Sequence, residues 1–191
     1  MTRIPAVLPE SATGKSKTLL DAVQKKLGRV PNLMRTLANA PAALEGYLNL
    51  SGALATGQLD AKVREQIALT VAEANLCDYC LSAHTAIGGM VGLSADEIGR
   101  ARQASSSNPK AHAILKLARS IVVNRGEVAD ADLAAARAAG ITDGEILETT
   151  VNVALNILTN YVNHVADTAI DFPAVAPAAA AACDRDACST R

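Results

Sequence analysis

The chain contains no tryptophan, a single phenylalanine (Phe172) and three tyrosines in 191 residues. Strands favour aromatic and β-branched side chains, so this shortage argues against a sheet-based fold. No apolar run reaches the roughly 18 residues that a bilayer-spanning helix needs. Neither sign of charge dominates: 18 Lys and Arg stand against 19 Asp and Glu, a net charge of −1. That balance leaves no electrostatic footprint for nucleic acid or an anionic membrane. The opening Met1-Thr2-Arg3-Ile4-Pro5 lacks the apolar core of a secretory signal. These absences together predict a cytoplasmic protein that binds neither nucleic acid nor membrane.

What is present is alanine, leucine, valine and isoleucine, and half of the residues are hydrophobic. Alanine is the best helix former, and small side chains let helices pack closely, so we expect an all-α fold. Residues 1–16, broken by Pro5, Pro9 and Gly14, read as a loose arm. Residues 17–172 form the helical domain. Within it, one helix ends at Gly28, a second runs from Pro41 toward Gly57, and Asp60 caps a third that reaches Leu76. A cysteine-bearing helix follows to about Gly88–Gly92, Ser94 and Glu97 form a capping box, and Asp143 opens a long last helix to about Ile170. Residues 173–191, rich in Pro and Ala and carrying Cys183 and Cys188, read as a flexible tail. A faint repeat at an offset of 80 aligns Glu65, Thr70, Val71, Ala74 and His84 with Glu145, Thr150, Val151, Ala154 and His164. It suggests an internal helical duplication, with Ile157 and Asn160 where the first half has Cys77 and Cys80.

The run Cys77-Asp78-Tyr79-Cys80-Leu81-Ser82-Ala83-His84 concentrates the chemistry. On one helix, positions i, i+3 and i+7 fall within roughly 60° of each other. With Asn75 as N-cap, the free N–H groups of a helix start would lie near Cys77 and favour a thiolate. Four cysteines in a cytosolic chain are not a stability framework, so a redox dithiol is the leading reading. A zinc site would need a fourth ligand, conceivably Cys183 or Cys188. Two buried cysteines acting as small apolar residues complete the alternatives. His84, at i+4 from Cys80, is in reach to take its proton. Glu65 is flanked on its helix by Ala61, Ala68, Leu69, Ala72 and Leu76, and a carboxylate on such a face wants a partner, with His84 the obvious one. Glu73, four residues before Cys77, competes with it. Tyr79 either donates to a thiolate or substrate oxygen or packs on a neighbouring subunit. On the last helix Asn152, Asn156, Asn160 and Asn163 form a stripe with His164 nearby. Such amides either build a buried network or line a pocket, where Asn160 and His164 would bind substrate.

Glu65, Cys77, Cys80 and His84 at these spacings resemble the core motif of the AhpD-like alkylhydroperoxidases within the carboxymuconolactone decarboxylase family. The match runs from about Pro41 to Gly92. The resemblance implies an all-α fold, often duplicated, and assembly as trimers or larger rings such as hexamers. It implies that Cys80 attacks a hydroperoxide and that Cys77 then closes a disulfide with it. Glu65 and His84 would relay the proton, and an external dithiol, thioredoxin-like or lipoyl-type, would restore the thiols. The scheme calls for no cofactor and no metal. The chain departs from the best-known members at Tyr79, where they carry a second histidine, which keeps open a redox-sensing or oligomeric binding module. The decarboxylase branch lacks the cysteine pair.

Two expectations concern surfaces. The helix containing Val63, Ile67 and Val71 on one side and Ala68, Leu69 and Ala72 on another is apolar on several faces and needs more cover than a monomer of this size supplies, which predicts a homo-oligomer. A tail thiol at Cys183 or Cys188 could also reach a Cys77–Cys80 disulfide, although two incidental cysteines are the simpler expectation.

Overall fold

A computed structural model of the chain describes residues 2–178. Among them the regular structure is entirely helical: α1 (Gly14–Leu27), α2 (Asn32–Leu37), α3 (Pro41–Leu54), α4 (Ala61–Ala74), α5 (Asp78–Met90), α6 (Ala95–Arg102), α7 (Pro109–Val123), α8 (Asp130–Ala138) and α9 (Asp143–Ala166). The starts are written locally. Asp60 accepts the Val63 N–H at 2.8 Å and opens α4, Ser94 and Glu97 close a capping box on α6, and Thr142 and Glu145 do the same on α9. Gly28 ends α1 at φ 72°, a left-handed conformation that suits a residue without Cβ.

Helix α4 is the hub, packed against α5, α6, α7 and α9. Ile67, Leu69, Val71 and Ala72 are all fully buried. The apolar faces of this helix are therefore covered within one protomer, and they do not require another subunit as the sequence had suggested.

Both ends of the helical domain differ from expectation. The N-terminal segment is laid down on the body, not loose: the Arg3 N–H donates to the Ala166 carbonyl at 2.8 Å, the Val7 N–H to that of Arg35 at 3.0 Å, and Ala12 is buried. Prolines remove donors there without preventing the remaining backbone groups from docking. Helix α9 stops at Asp167, φ 49°, short of Ile170. The residues after it are recruited as a strap, with Asn32 donating to the Ala169 carbonyl at 2.9 Å and Arg29 pairing with Asp171. The strap continues across α5 and α4, where Val175 N–H donates to Ser82 at 2.9 Å and Ala178 N–H to Glu73 at 2.6 Å. Residues 173–178 are thus hydrogen-bonded to the helical body, and Cys183 and Cys188 lie outside the described residues.

Candidate active site

The site begins with a break in the chain. After α4, Leu76 takes the left-handed conformation at φ 55°, and the Cys77 N–H closes back on the Ala72 carbonyl at 2.9 Å. The backbone reverses there, and α5 returns along α4. Cys77 itself is the N-cap of α5, its sulfur accepting the Cys80 N–H at 3.3 Å. Asn75, expected in that capping role, instead ends α4 and donates to Asn160 Oδ1 at 2.8 Å. The Cys77 and Cys80 sulfurs lie within bonding distance, with Cα atoms 5.3 Å apart. Both residues are buried.

The reversal brings α5 beside the start of α4, so that His84 Nδ1 meets Glu65 Oε2 at 2.7 Å. Both side chains are about four-fifths buried, at 22% and 18% exposure, so the pair is shielded but still reachable. A carboxylate at Nδ1 fixes the imidazole tautomer and leaves Nε2 as the nitrogen that can exchange a proton. The competing carboxylate, Glu73, is paired with Arg102 at 2.7 Å and serves the strap.

Cys80, Glu65 and His84 line a cavity of about 440 Å³, and Cys77 does not. Its walls are largely apolar, with Leu48, Leu54, Ile87 and Phe172 among them. Tyr47 on α3 also faces it. Burial pushes the Tyr47 phenol up from its ordinary pKa of 10.0, and the Glu65 charge pushes in the same direction. Tyr47 thus stays protonated, with its hydroxyl in a hydrogen bond with Ser51 on the same wall. Sequence reasoning missed it, although its i+3 position from Leu44, on a helix whose leucines point inward, was a usable signal.

The residues expected to bind substrate are dispersed. The Tyr79 ring borders the cavity and packs edge-on against Phe172 at 5.9 Å. Its hydroxyl donates to Asp171 Oδ1 at 2.9 Å and accepts the Leu33 N–H at 3.0 Å. Burial raises its pKa further, so it remains a neutral donor committed to the strap. It neither donates to a sulfur nor faces a neighbouring subunit. Asn160 is fully buried beneath the cavity wall, held by Asn75, and does not line the cavity. His164 is exposed at the end of α9 and does not line the cavity, its backbone carbonyl accepting from Arg3 at 3.3 Å. The amide that reaches the thiols is Asn163, whose Nδ2 donates to Cys80 Sγ at 3.2 Å. The asparagine stripe therefore divides, with Asn152, Asn156 and Asn163 facing the cavity and Asn160 behind it. Among the described residues, no three His, Cys, Asp or Glu side chains are grouped as a metal site.

Nor is any helix among the described residues long and apolar enough to cross a membrane. Residues 41–120, which hold the cavity's α3, α4 and α5 walls and the whole cysteine motif, match the carboxymuconolactone decarboxylase family. Among solved structures, a peroxidase-related protein with an alkylhydroperoxidase AhpD core from Ralstonia eutropha JMP134 superposes with a TM-score of 0.80 at 26% identity, covering 89% of this chain and 92% of that one. A second peroxidase-related protein, from Silicibacter sp. TM1040, gives 0.77 at 22% identity over 88% of this chain and 91% of its own. The debrominase Bmp8, in complex with 2,3,4-tribromopyrrole, gives 0.76 at 16% identity over 90% and 92%. The latter two likenesses establish the fold alone. No curated protein matches the sequence. Residues 41–120 thus carry the pattern of the carboxymuconolactone decarboxylase family, on a fold shared with an alkylhydroperoxidase AhpD core.

Proposed function

We propose that the protein is a thiol-dependent peroxidase that reduces hydroperoxides through a Cys77–Cys80 disulfide. The observation that carries this reading is the cavity wall on which the Cys80 sulfur, and not that of Cys77, lies beside a Glu65–His84 pair. The Cys80 thiolate attacks the terminal oxygen of the hydroperoxide. The S–O bond forms, the O–O bond breaks, and the leaving alkoxide takes a proton from His84, held in register by Glu65. Cys80 is now a sulfenic acid, two electrons more oxidised. The Cys77 thiol condenses with it, releasing water and forming the disulfide. An external dithiol, thioredoxin-like or lipoyl-type, returns two electrons by exchange. Such donors belong to reducing compartments, and the cytoplasm is the proposed place of action. Steady-state peroxide consumption with a dithiol reductant tests the scheme. Cys80→Ser is expected to abolish turnover, whereas Cys77→Ser should accept a single oxidation as a trapped sulfenic acid. Wild-type turnover in Cys80→Ser would reject the assignment. A single oxidation of the wild type without turnover would instead favour a redox sensor, a role that the structural commitment of Tyr79, in place of a second histidine, leaves room for.

The protein is further proposed to be a homo-oligomer, the trimer or hexamer that the resemblance to AhpD-like proteins implies. The supporting feature is the outer face of α9. Leu147, Val151, Ala154, Leu158, Tyr161 and Val165 recur at alternating steps of four and three residues and are exposed. No Asp, Glu, Lys or Arg occurs from Thr149 to Ala166. A continuous uncharged seam of this spacing suits helix–helix association. Light scattering is expected to give a multiple of the chain mass, reduced by Leu158→Glu combined with Tyr161→Glu. A monomeric wild type at micromolar concentration would reject it.

A further inference from the structure

The scheme above uses the sulfur, the imidazole and the carboxylate, but it does not explain why Cys80 carries the negative charge. Three observations on α9 bear on that question. Asn163 Nδ2 is the side-chain donor on the Cys80 sulfur, at 3.2 Å. Asn163 is buried, and its Oδ1 has no hydrogen-bond partner among the described residues. One turn earlier, Asn160 Nδ2 is likewise buried without a partner among the described residues, while Asn160 Oδ1 is held at 2.8 Å by Asn75 from the α4 terminus. A buried orphan donor and a buried orphan acceptor thus stand three residues apart on one helix, a spacing at which side chains are neighbours.

We propose that Asn163 is a catalytic hydrogen-bond donor that stabilises the Cys80 thiolate, and that Asn160 is its positioning residue. The inference rests on Cys80 being the reactive sulfur, as the proposed peroxidase requires. In the disulfide, sulfur is a weak acceptor and the amide is held loosely. A donor thiolate of an external dithiol attacks Cys80, the sulfur that lines the cavity, and Cys77 leaves, taking up a proton; the donor's second thiol then displaces Cys80 as a thiolate, closes the donor's own disulfide and releases its proton. A full charge on Cys80 draws the Asn163 N–H group inward, since hydrogen bonds to an ionised acceptor are the shorter and stronger kind. The same small rotation brings Asn163 Oδ1 to Asn160 Nδ2 and satisfies both orphans together. The resulting chain runs from Asn75 through Asn160 and Asn163 to the Cys80 sulfur. Among the described residues, the Cys77 sulfur has only the Cys80 backbone N–H as a donor, so the asymmetry selects which thiol ionises first.

The test reads the thiol directly and is independent of peroxide turnover. In the full-length chain carrying Cys77→Ser, with the remaining cysteines mapped by mass spectrometry, the iodoacetamide alkylation rate at Cys80 is followed against pH. Asn163→Leu, which keeps the volume and removes the donor, is expected to raise the Cys80 pKa by about one unit. Asn163→Asp, with an acceptor in its place, should raise it more, and Asn160→Leu should raise it less. In the unsubstituted reduced protein, the Asn163 side-chain amide resonance should titrate with Cys80. Unchanged Cys80 pKa values in Asn163 variants that still melt cooperatively would overturn the proposal, as would an Asn163 amide signal blind to the titration. Loss of turnover with no change in these readouts would speak against the donor role. Normal shifts in a protein that never turns over peroxide would instead uphold the donor role and reject the peroxidase.

Discussion

Glu65 and His84 are nineteen residues apart in sequence and touch at 2.7 Å. Glu145 and His164 have the same separation, and they never meet. The second pair lies at the two ends of the unbroken helix α9, where a rise of 1.5 Å per residue sets them about 28 Å apart. The first pair is divided by Asn75, Leu76 and Cys77, which reverse the chain between α4 and α5. The weak repeat at an offset of 80 is therefore not a repeated helix pair: a hairpin stands in one half and a single rod in the other. What separates a Glu–His pair in contact from two unrelated groups, one buried and one exposed, is a three-residue break, and residue identity at the matched positions counts for little beside it. Glu145, relieved of a histidine partner, pairs with Lys110 at 2.7 Å and caps α9 through the Thr142 N–H at 2.9 Å.

The sharpest way to break this contrast is to remove both histidines in turn. His84→Ala is expected to lower peroxide turnover by about 10²- to 10⁴-fold, the usual worth of a positioned proton-transfer group. Glu65→Gln keeps the hydrogen-bonding shape without the charge and should cost less. His164→Ala, on the exposed end of α9, should leave kcat and KM unchanged. Comparable losses at His84 and His164 in steady-state assays would mean that the two halves are functionally equivalent after all.

A smaller effect is expected at the break itself. Leu76 holds φ 55° with a half-exposed side chain, so its packing contributes little to offset the cost of a left-handed backbone. Leu76→Val places a β-branched residue in that conformation and should reduce stability by about 1–2 kcal/mol, with a matching fall in the fraction of Glu65–His84 contact. Leu76→Asn, which tolerates the left-handed region, should be neutral or better. Chemical denaturation of both variants checks the pair. Equal stabilities would show that the reversal is not set by Leu76.

Much of the site was legible because it depends on local rules. The caps at Asp60, Ser94 and Gly28 follow from short-range hydrogen bonding, and a carboxylate among Ala61, Ala68, Leu69 and Ala72 announced its need for a partner. The break after Leu76 was legible but its left-handed geometry was not, because Leu76 carries none of the Gly or Pro signals of a turn, and the tertiary contact of α5 on α4 overrides its preference. Choosing among four asparagines required the rotation of α9 against α5, and no pattern within one helix encodes that. The same holds for Tyr79: its hydroxyl is claimed by Asp171, ninety-two residues away, on a strap whose Pro and Ala composition reads as free chain. Composition predicts how much a segment can bury, but a few backbone hydrogen bonds suffice to hold it.

The least of the expected effects concerns Glu145, the carboxylate that found no histidine. Its hydrogen bond to Lys110, followed by that to the Thr142 backbone, holds its pKa below the ordinary 4.5. A carboxyl with a depressed folded value stabilises the fold fully above its unfolded pKa and loses that contribution as the pH falls through the folded one. Glu145→Gln preserves the capping box, in which glutamine serves as well as glutamate, and removes only the charge. Lys110 is about half exposed, so water screens the ion pair, and the loss at neutral pH should stay below about 1 kcal/mol. Denaturation curves of wild type and Glu145→Gln should therefore differ slightly at pH 7 and converge as the pH drops below 4.5. A gap that persists undiminished well below that value would show that the shape of the cap, and not the charge on Glu145, is what α9 depends on.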